Sequence, residues 1–344
     1  VHVLLRDEEN VLIGAAPLYL KDNSYGEFVF DWAWADAYRR SGLPYYPKLV
    51  SAIPYTPATG PRLLSSSVPG REAATTALIE GCLALADDLS VSSLHWLFTP
   101  QQETASLQDK GLLRRTGCQF HWRNMGWGDF EHMLADMTSR QRKKVRRERR
   151  RVRETGIRFR RLSGHDVSEP EWDTWHRLYC STFERHSGIP TLSAGFFKEI
   201  ARTMGEQVLL ISAHKGTETV AAAFFLRSDD TLYGRHWGCT TDYHSLHFET
   251  CFYQGLEYCL EHGLTRFEPG AQGEHKISRG FLPVFTWSAH WIRDRRFRAA
   301  IDRHVRLEAE AVTDYAREMA SRSPFKQGVI GTESGSVPLG FPQG

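Results

Sequence analysis

Val220-Ala-Ala-Ala-Phe-Phe-Leu-Arg227 and Gly14-Ala-Ala-Pro-Leu-Tyr-Leu-Lys21 read as two versions of one strand. Small residues open each, bulky apolar ones fill the middle, and a cation closes it. Tyr233-Gly234-Arg235 follows the later copy as Tyr25-Gly26-Glu27 follows the earlier one. Leu209-Leu210-Ile211 precedes one as Val3-Leu4-Leu5 precedes the other. A helix then feeds a strand in both, at Leu89 to Phe98 and at His262 to Glu268. Repeated element order signals a repeated supersecondary unit. The pattern predicts an α/β (α+β) chain of two similar lobes, each a mixed sheet flanked by helices. A strand and two helices over 157–204 precede the second copy and have no counterpart before the first. The amino-terminal lobe therefore reads as truncated.

The wider chain sets limits. Its 344 residues hold two ordinary domains. No apolar run approaches the roughly 20 residues of a membrane-spanning helix, and no secretory leader opens it. The six cysteines form no CxxC pair, so reduced thiols in a cytoplasmic protein are expected. His244-x-x-His247 with Glu249, Glu268 and His275 supplies zinc- or iron-type ligands. Nothing in that spacing sets a geometry, and no metal site is expected.

The net charge of +2 conceals an asymmetry. Arg140 to Arg153 holds ten Lys/Arg and one acid, Glu148, so it carries +9 and the rest of the chain −7. The pattern predicts one long helix from Asp129 to about Glu154, stopped by Thr155-Gly156. Its inward stripe is Leu134, Met137, Gln141, Val145, Glu148 and Val152. Glu148 is expected to pair with a cation there, since a buried lone carboxylate is costly. The outward residues, among them Arg142, Lys143, Arg146 and Arg147, read either as a solvated face or as an anion-binding one. No DNA-binding motif accompanies them, so sequence-specific DNA reading is not expected. The expected organisation is a first lobe over 1–128, a basic linking helix over 129–156, a second lobe over 157–322 and a flexible tail over 323–344. Pro44 to Pro61 carries five prolines and reads as neither helix nor inner strand, with Tyr25 to Phe30 as the third strand of the first lobe.

Arg266-Phe-Glu-Pro-Gly-Ala-Gln-Gly-Glu-His-Lys-Ile-Ser-Arg-Gly-Phe281 gathers acid, base, amide and cation where a strand opens into a loop. Its glycines permit sharp turns and close ligand approach. Glu268 is the leading carboxylate, with Glu249 the other. His275 and His247 are the imidazoles. Lys276, Arg279 and Arg235 are cations able to orient a carboxylate or phosphate. Each also has a structural reading, as loop acceptor, helix cap or salt-bridge partner.

The element order resembles the GNAT acyltransferase fold, and two such lobes in tandem resemble the Fem-type aminoacyl transferases of peptidoglycan synthesis. The Pro-rich loop ending Gly60-Pro61-Arg62, the basic helix before Gly156-Ile157-Arg158-Phe159, and Gly263 to Phe281 carry that likeness. Closer still is the resemblance to a bacterial family of predicted N-acyltransferases, or peptidoglycan biosynthesis/recognition proteins. It rests on Tyr46-Pro-Lys-Leu49, Pro57-Ala-Thr-Gly-Pro61, Leu232-Tyr-Gly-Arg-His-Trp-Gly238, Leu246-His-Phe-Glu249 and Gly270-Ala-Gln-Gly-Glu-His-Lys276. The resemblance implies transfer of an acyl or aminoacyl group from acyl-CoA or aminoacyl-tRNA to a small-molecule or peptide amine, a cell-wall precursor among them. The alternative is a GNAT-like protein that binds an anionic ligand without turnover. No tightly bound cofactor is implied; acyl-CoA or aminoacyl-tRNA enters as co-substrate, with tRNA as donor carrier. Glu268, His275 and Lys276 then stand as catalytic candidates. Gly60, Arg62, Tyr233, Arg235, His247, Glu249, Gln272, Gly273 and Arg279 stand as substrate-binding ones. Gly238 to Glu249 lacks the glycine pattern with which GNAT lobes hold a pyrophosphate at a helix start.

Overall fold

A strand, a helix and a strand parallel to the first form the unit from which this chain is built. The computed structural model describes residues 1–65, 70–185, 188–271 and 273–329. It divides into two compact units, Val1–Gln119 with Val284–Glu318, and Phe120–Pro283 with residues 319–329. The first segment holds β1 (His2–Arg6), β2 (Leu12–Pro17), β3 (Tyr19–Lys21), α1 (Trp32–Arg40), β4 (Lys48–Ser51), β5 (Leu64–Ser65), α2 (Arg71–Asp88), β6 (Ser93–Thr99) and α3 (Gln101–Asp109). After β7 (Leu113–Arg123) come α4 (Phe130–Asp136), α5 (Ser139–Glu154), β8 (Arg158–Ser163), α6 (Glu169–Arg185) and α7 (Ala194–Thr203). Next are β9 (Val208–Lys215), β10 (Glu218–Arg227), β11 (Thr231–Cys239), α8 (Leu246–Phe248), α9 (Gln254–Glu261) and β12 (Arg266–Glu268). The last elements are β13 (Leu282–Ile292) and α10 (Arg295–Ser321).

Strand pairing makes the repeat explicit. In the first unit β3 pairs antiparallel with β4, β4 parallel with β6, and β6 antiparallel with β13. In the second, β10 pairs antiparallel with β11, β11 parallel with β12, and β12 antiparallel with the end of β7. Parallel neighbours need a long crossover, which α2 supplies in one unit and the α8–α9 helix in the other. The expected class, α/β with two similar units of mixed sheet and flanking helices, is what the chain forms.

Four details differ from expectation. Tyr25 to Phe30 is irregular, and β4 takes the inner-strand place inside the Pro-rich stretch. Lys48–Ser51 is a proline-free window between Pro47 and Pro54, so its amides remain available to the sheet. Val284–Glu318 belongs to the first unit, because β13 pairs with β6. The basic segment is not one helix but two: Asp129 caps α4, Met137 is extended, and α5 begins afresh. The break is held from outside, since Thr138 N donates to Pro324 O (2.8 Å) and Met137 bridges to Phe325. Phe325 is buried and stacks on Trp127 at 5.0 Å, so the start of the segment expected as a flexible tail is packed. Among the described residues no helix is long and apolar enough to cross a membrane.

The first unit buries an unusual polar network. Lys48, wholly buried, donates to Ser24 and Glu27 (2.7 and 2.8 Å) and pairs with Asp31, to which Tyr45 also donates (2.6 Å). On the paired strands β6 and β13, His95 Nδ1 meets His290 Nδ1 at 2.6 Å, while each Nε2 bonds a serine, Ser93 and Ser288, at 2.8 Å. Burial drives both imidazoles toward neutrality, His95 down to about 3 and His290 well below its usual range. Arg62 is likewise committed to structure. Its guanidinium donates to the carbonyls of Leu97, Gly60 and Ala58 at 2.8–2.9 Å, and its amide to Glu103, which secures the Gly60-Pro61 turn.

Below pH 6.5 the unfolded chain takes up protons that His95 and His290 refuse when folded, so their contribution to stability is constant above that pH and falls toward pH 3. Urea titrations between pH 7.5 and 4.5 will show this fall, at most roughly 1.4 kcal/mol per pH unit for each imidazole. The double variant His95→Gln with His290→Asn will remove the share of it due to this pair and leave that of the other buried histidines, His121, His236 and His247. Arg62→Met leaves several buried carbonyls without a donor and will lower stability by about 3 kcal/mol in the same titration.

Candidate active site

The parallel pairing of β11 with β12 covers only three residues, ending at Tyr233 opposite Glu268. β11 continues to Cys239 while the other chain turns away at Pro269 and Gly270. An opening beside a parting pair of parallel strands is a usual place for a ligand. The stretch of β11 that flanks it, Tyr233 to Trp237, is only half-buried. A bulge sharpens the geometry. Phe224 faces His236 and Phe225 faces Gly234, so Arg235 is the extra residue and its direction departs from the strand's alternation. Burial lowers the Arg235 pKa to about 10.

Glu268 closes β12, with its side chain 5% exposed. Its Oε1 lies 3.8 Å from His121 Nδ1 on β7. Burial, then the charges of Arg266, Lys276 and Arg123, hold His121 down to about 3, so the imidazole beside this carboxylate is neutral. Burial and the Glu268 charge together raise the Tyr233 hydroxyl. His121 was not among the residues singled out from the sequence. It lies on a strand remote in the chain, and only the β7–β12 pairing brings it here.

Beyond Glu268 the chain folds back through Gly270 and Gly273, at φ 95° and 119°. A side chain at Gly273 would collide with the His275 ring, 2.4 Å from the position of its Cβ. A 3-10 segment, Glu274–Arg279, follows. Lys276 is 3% exposed and its Nζ donates to Gly270 O at 2.8 Å. Burial brings this amine down to about 8. His275 is exposed, and its pKa is lowered by burial and by the charges of Arg279, Lys276 and Lys144. It stands 5.6 Å from Phe248 and 6.3 Å from His247, ring to ring. His247, against Trp237 at 5.2 Å, is held down to about 4 by burial and by the His275, Arg279 and Lys276 charges.

Arg279 is 2% exposed and is held on three sides. Its Nη2 donates to both Glu148 oxygens at 2.8 Å, its Nη1 donates to His275 O at 2.6 Å, and its guanidinium lies 3.4 Å from the Phe248 ring centre. Glu148 also accepts from Tyr253 OH. The carboxylate on the inner face of α5 thus has its expected cation. The phenol reaches it from a π-helical turn, Glu249–Tyr253, between α8 and α9; such turns redirect side chains at functional sites.

The structure brings Tyr233, Arg235, His247, Glu268, Gly273, His275, Lys276 and Arg279 into one region of the second unit. Gly60 and Arg62 belong to the first unit, and Gln272 lies outside the described residues. Glu249 is spent elsewhere: it accepts from Arg149 at 3.0–3.2 Å and from Gln254 at 2.8 Å. His244 meets Arg151 at 2.8 Å. Among the described residues no three His, Cys, Asp or Glu side chains come together as a metal-binding set.

The outward face of α5, with α4, lines a groove of about 1020 Å³. Lys143, Arg146 and Arg147 lie on it together with Arg140, Lys144, Arg149, Arg150 and Arg153. Arg146 pairs with Glu131 at the rim. Arg142, expected on this face, instead donates to Ala135 O at 3.1 Å and fastens α5 to the end of α4.

Comparison with known proteins follows the same lines. No curated protein matches the chain. Among solved structures, the carboxy-terminal domain of a lysylphosphatidylglycerol synthetase from Agrobacterium fabrum superposes with a TM-score of 0.55 at 10% identity, over 88% of each chain. L-PGS from Bacillus licheniformis gives 0.54 at 11% identity, over 86% of this chain and 84% of that one. FemX gives 0.53 at 11%, over 88% and 90%. At such identities the likeness is one of fold. The FemAB-like family model, described as peptidoglycan biosynthesis/recognition, matches residues 1–327, and the chain belongs to that family.

Proposed function

We propose that this protein is an N-acyltransferase that moves an acyl or aminoacyl group from a phosphate-bearing carrier to an amine, with a cell-wall precursor as the acceptor. The observation that carries this reading is the pairing of Glu268, 3.8 Å from His121, with Lys276, bonded to Gly270 O, on the chain that leaves β12 where β11 and β12 part. A carboxylate and a cation of lowered pKa at one opening are the parts that amide formation from an ammonium substrate needs.

An alkyl ammonium is neutral in only about one part in 10^3.4 at pH 7, a handicap of about 4.6 kcal/mol. Glu268 accepts the ammonium proton, and the freed amine attacks the donor carbonyl. As the carbonyl oxygen gains charge, Lys276 stabilises it, a role worth roughly 3 kcal/mol for a donor placed in advance. The tetrahedral adduct then collapses. The carrier's oxygen or sulfur leaves with the bonding pair and takes the proton that the adduct's nitrogen sheds, and the neutral amide remains on the acceptor. His275 and Arg235 orient the polar parts of the two substrates in this reading.

The α5 groove suits the donor's carrier. Eight Lys and Arg line it, and arginine forms paired contacts with phosphate. That number favours a nucleic-acid carrier such as aminoacyl-tRNA over the few phosphates of coenzyme A. The cytoplasm, where both donors occur, is the compartment we propose.

Glu268→Gln is expected to lower kcat at least about 100-fold, read as transfer of label from aminoacyl-tRNA and acyl-CoA pools to peptidoglycan precursors. Full turnover by this variant overturns its role as base. Lys276→Met is expected to lose a similar factor and, with it, the limb of the pH–rate profile near pH 8. As the proton leaves Lys276 the wild-type rate falls on the alkaline side. Tight precursor binding with no transfer from either donor would instead favour a recognition protein. Lys143→Ala with Arg147→Ala is expected to weaken tRNA binding and to reduce the slope of log K against log salt by about 2, measured by fluorescence anisotropy.

A further inference from the structure

The helix that lines the groove also grips the loop of the candidate site. α5 presents Lys143, Arg146, Arg147 and Arg150 to the groove and Val145, Glu148 and Val152 to the core. From the core-facing side, Glu148 receives Arg279 through two 2.8 Å contacts, and Arg279 in turn holds the His275 carbonyl at 2.6 Å. A second tie runs beside the first, as Lys144 Nζ donates to Ser278 Oγ at 3.0 Å and Lys144 itself lies in the groove lining. Each contact falls within Glu274–Arg279, the 3-10 segment that carries His275 and Lys276.

From this we infer that Glu148 is a positioning residue: through Arg279 it makes the placement of His275 and Lys276 depend on occupancy of the α5 groove. The inference rests on reading the groove as the site of a phosphate-bearing carrier. A 3-10 segment of six residues between two glycines of positive φ has poorer hydrogen-bond geometry within its own backbone than an α-helix. Lys276 ties it to Gly270 O and Ile277 is buried, while Arg279 and Ser278 anchor it on α5. A polyanion bridging the groove arginines holds α5 against α4, and the ion pair passes that constraint to the segment. A buried arginine cannot shift without leaving Glu148 behind, so helix and segment move together or the pair breaks at high cost. The donor's carrier would thus complete the site as it binds.

Amide hydrogen exchange of the intact chain tests this, with unacylated tRNA as the probe. If tRNA binds only the ordered segment, tRNA at ten times its Kd slows exchange over residues 275–280 about elevenfold. Glu148→Gln is expected to abolish that slowing while tRNA affinity, measured by anisotropy, stays within about twofold. Glu148→Asp, which keeps the charge, is expected to restore part of it. Should Glu148→Gln not fold, Ser278→Ala removes the second tie and is expected to reduce the slowing at least about twofold. A merely structural role would speed exchange in β9 and β10 as well, with or without tRNA. tRNA binding without slowing over 275–280, or equal slowing in Glu148→Gln, overturns the coupling and leaves the groove assignment standing. Failure of tRNA to bind overturns both.

Discussion

The buried pair between Glu148 and Arg279 is the contact on which the second unit turns. Both groups are almost wholly out of water, where an unmatched charge costs several kcal/mol. Each is therefore held by several groups: the carboxylate by the guanidinium and the Tyr253 phenol, the guanidinium by the carboxylate, the His275 carbonyl and the Phe248 face. Three remote pieces of chain, the basic helix, the π-helical turn and the glycine-bounded loop, are joined at one point. Such a pair adds little net stability compared with apolar packing, but it specifies one arrangement. That arrangement sets Lys276 back against Gly270 and brings His275 beside Phe248 and His247.

Both units rest on a short parallel pair crossed by a helix, yet they use its polar residues in opposite ways. In the second unit the strands part after Glu268 and leave a half-buried rim from Tyr233 to Trp237. In the first, the equivalent strands enclose Lys48, Asp31, Tyr45, His95 and His290 in a sealed network with side-chain partners close at hand. Arg62 resolves the same way, as a strut for the Pro-rich turn. Polar residues turn inward in both units; in the second they line an opening, and in the first they bond one another.

The basic helix shows how charge can be divided by direction. Arg149 pairs with Glu249 and Glu257, and Arg161 on β8 reaches Glu257 and Glu261, so part of the acidic remainder is spent holding the helix side of the unit together. Arg142 is used up on the carbonyl end of α4. The remaining cations share one groove without enough acids to neutralise them, and their mutual repulsion is a standing preference for an anion.

The sequence by itself determined the two-unit architecture, because strand alternation, helix periodicity and glycine placement are local and the repeat doubled each signal. It also determined the inner stripe of α5, including a cation for Glu148, since burying an unpaired carboxylate is ruled out by its cost. It singled out Glu268, His275 and Lys276 as candidates, because chemistry gathered at a strand end is visible in one stretch. What only the tertiary structure decided depends on partners distant in the chain. Pairing with β7 put His121 beside Glu268. Pairing with β6 assigned β13 to the first unit. Contact with Pro324 and Phe325 broke the basic helix at Met137. Burial beside Arg149 and Gln254 withdrew Glu249 from the site, and the carbonyls of Leu97, Gly60 and Ala58 claimed Arg62. Each outcome is set by which polar group finds a partner across space, and a local pattern holds no record of that choice.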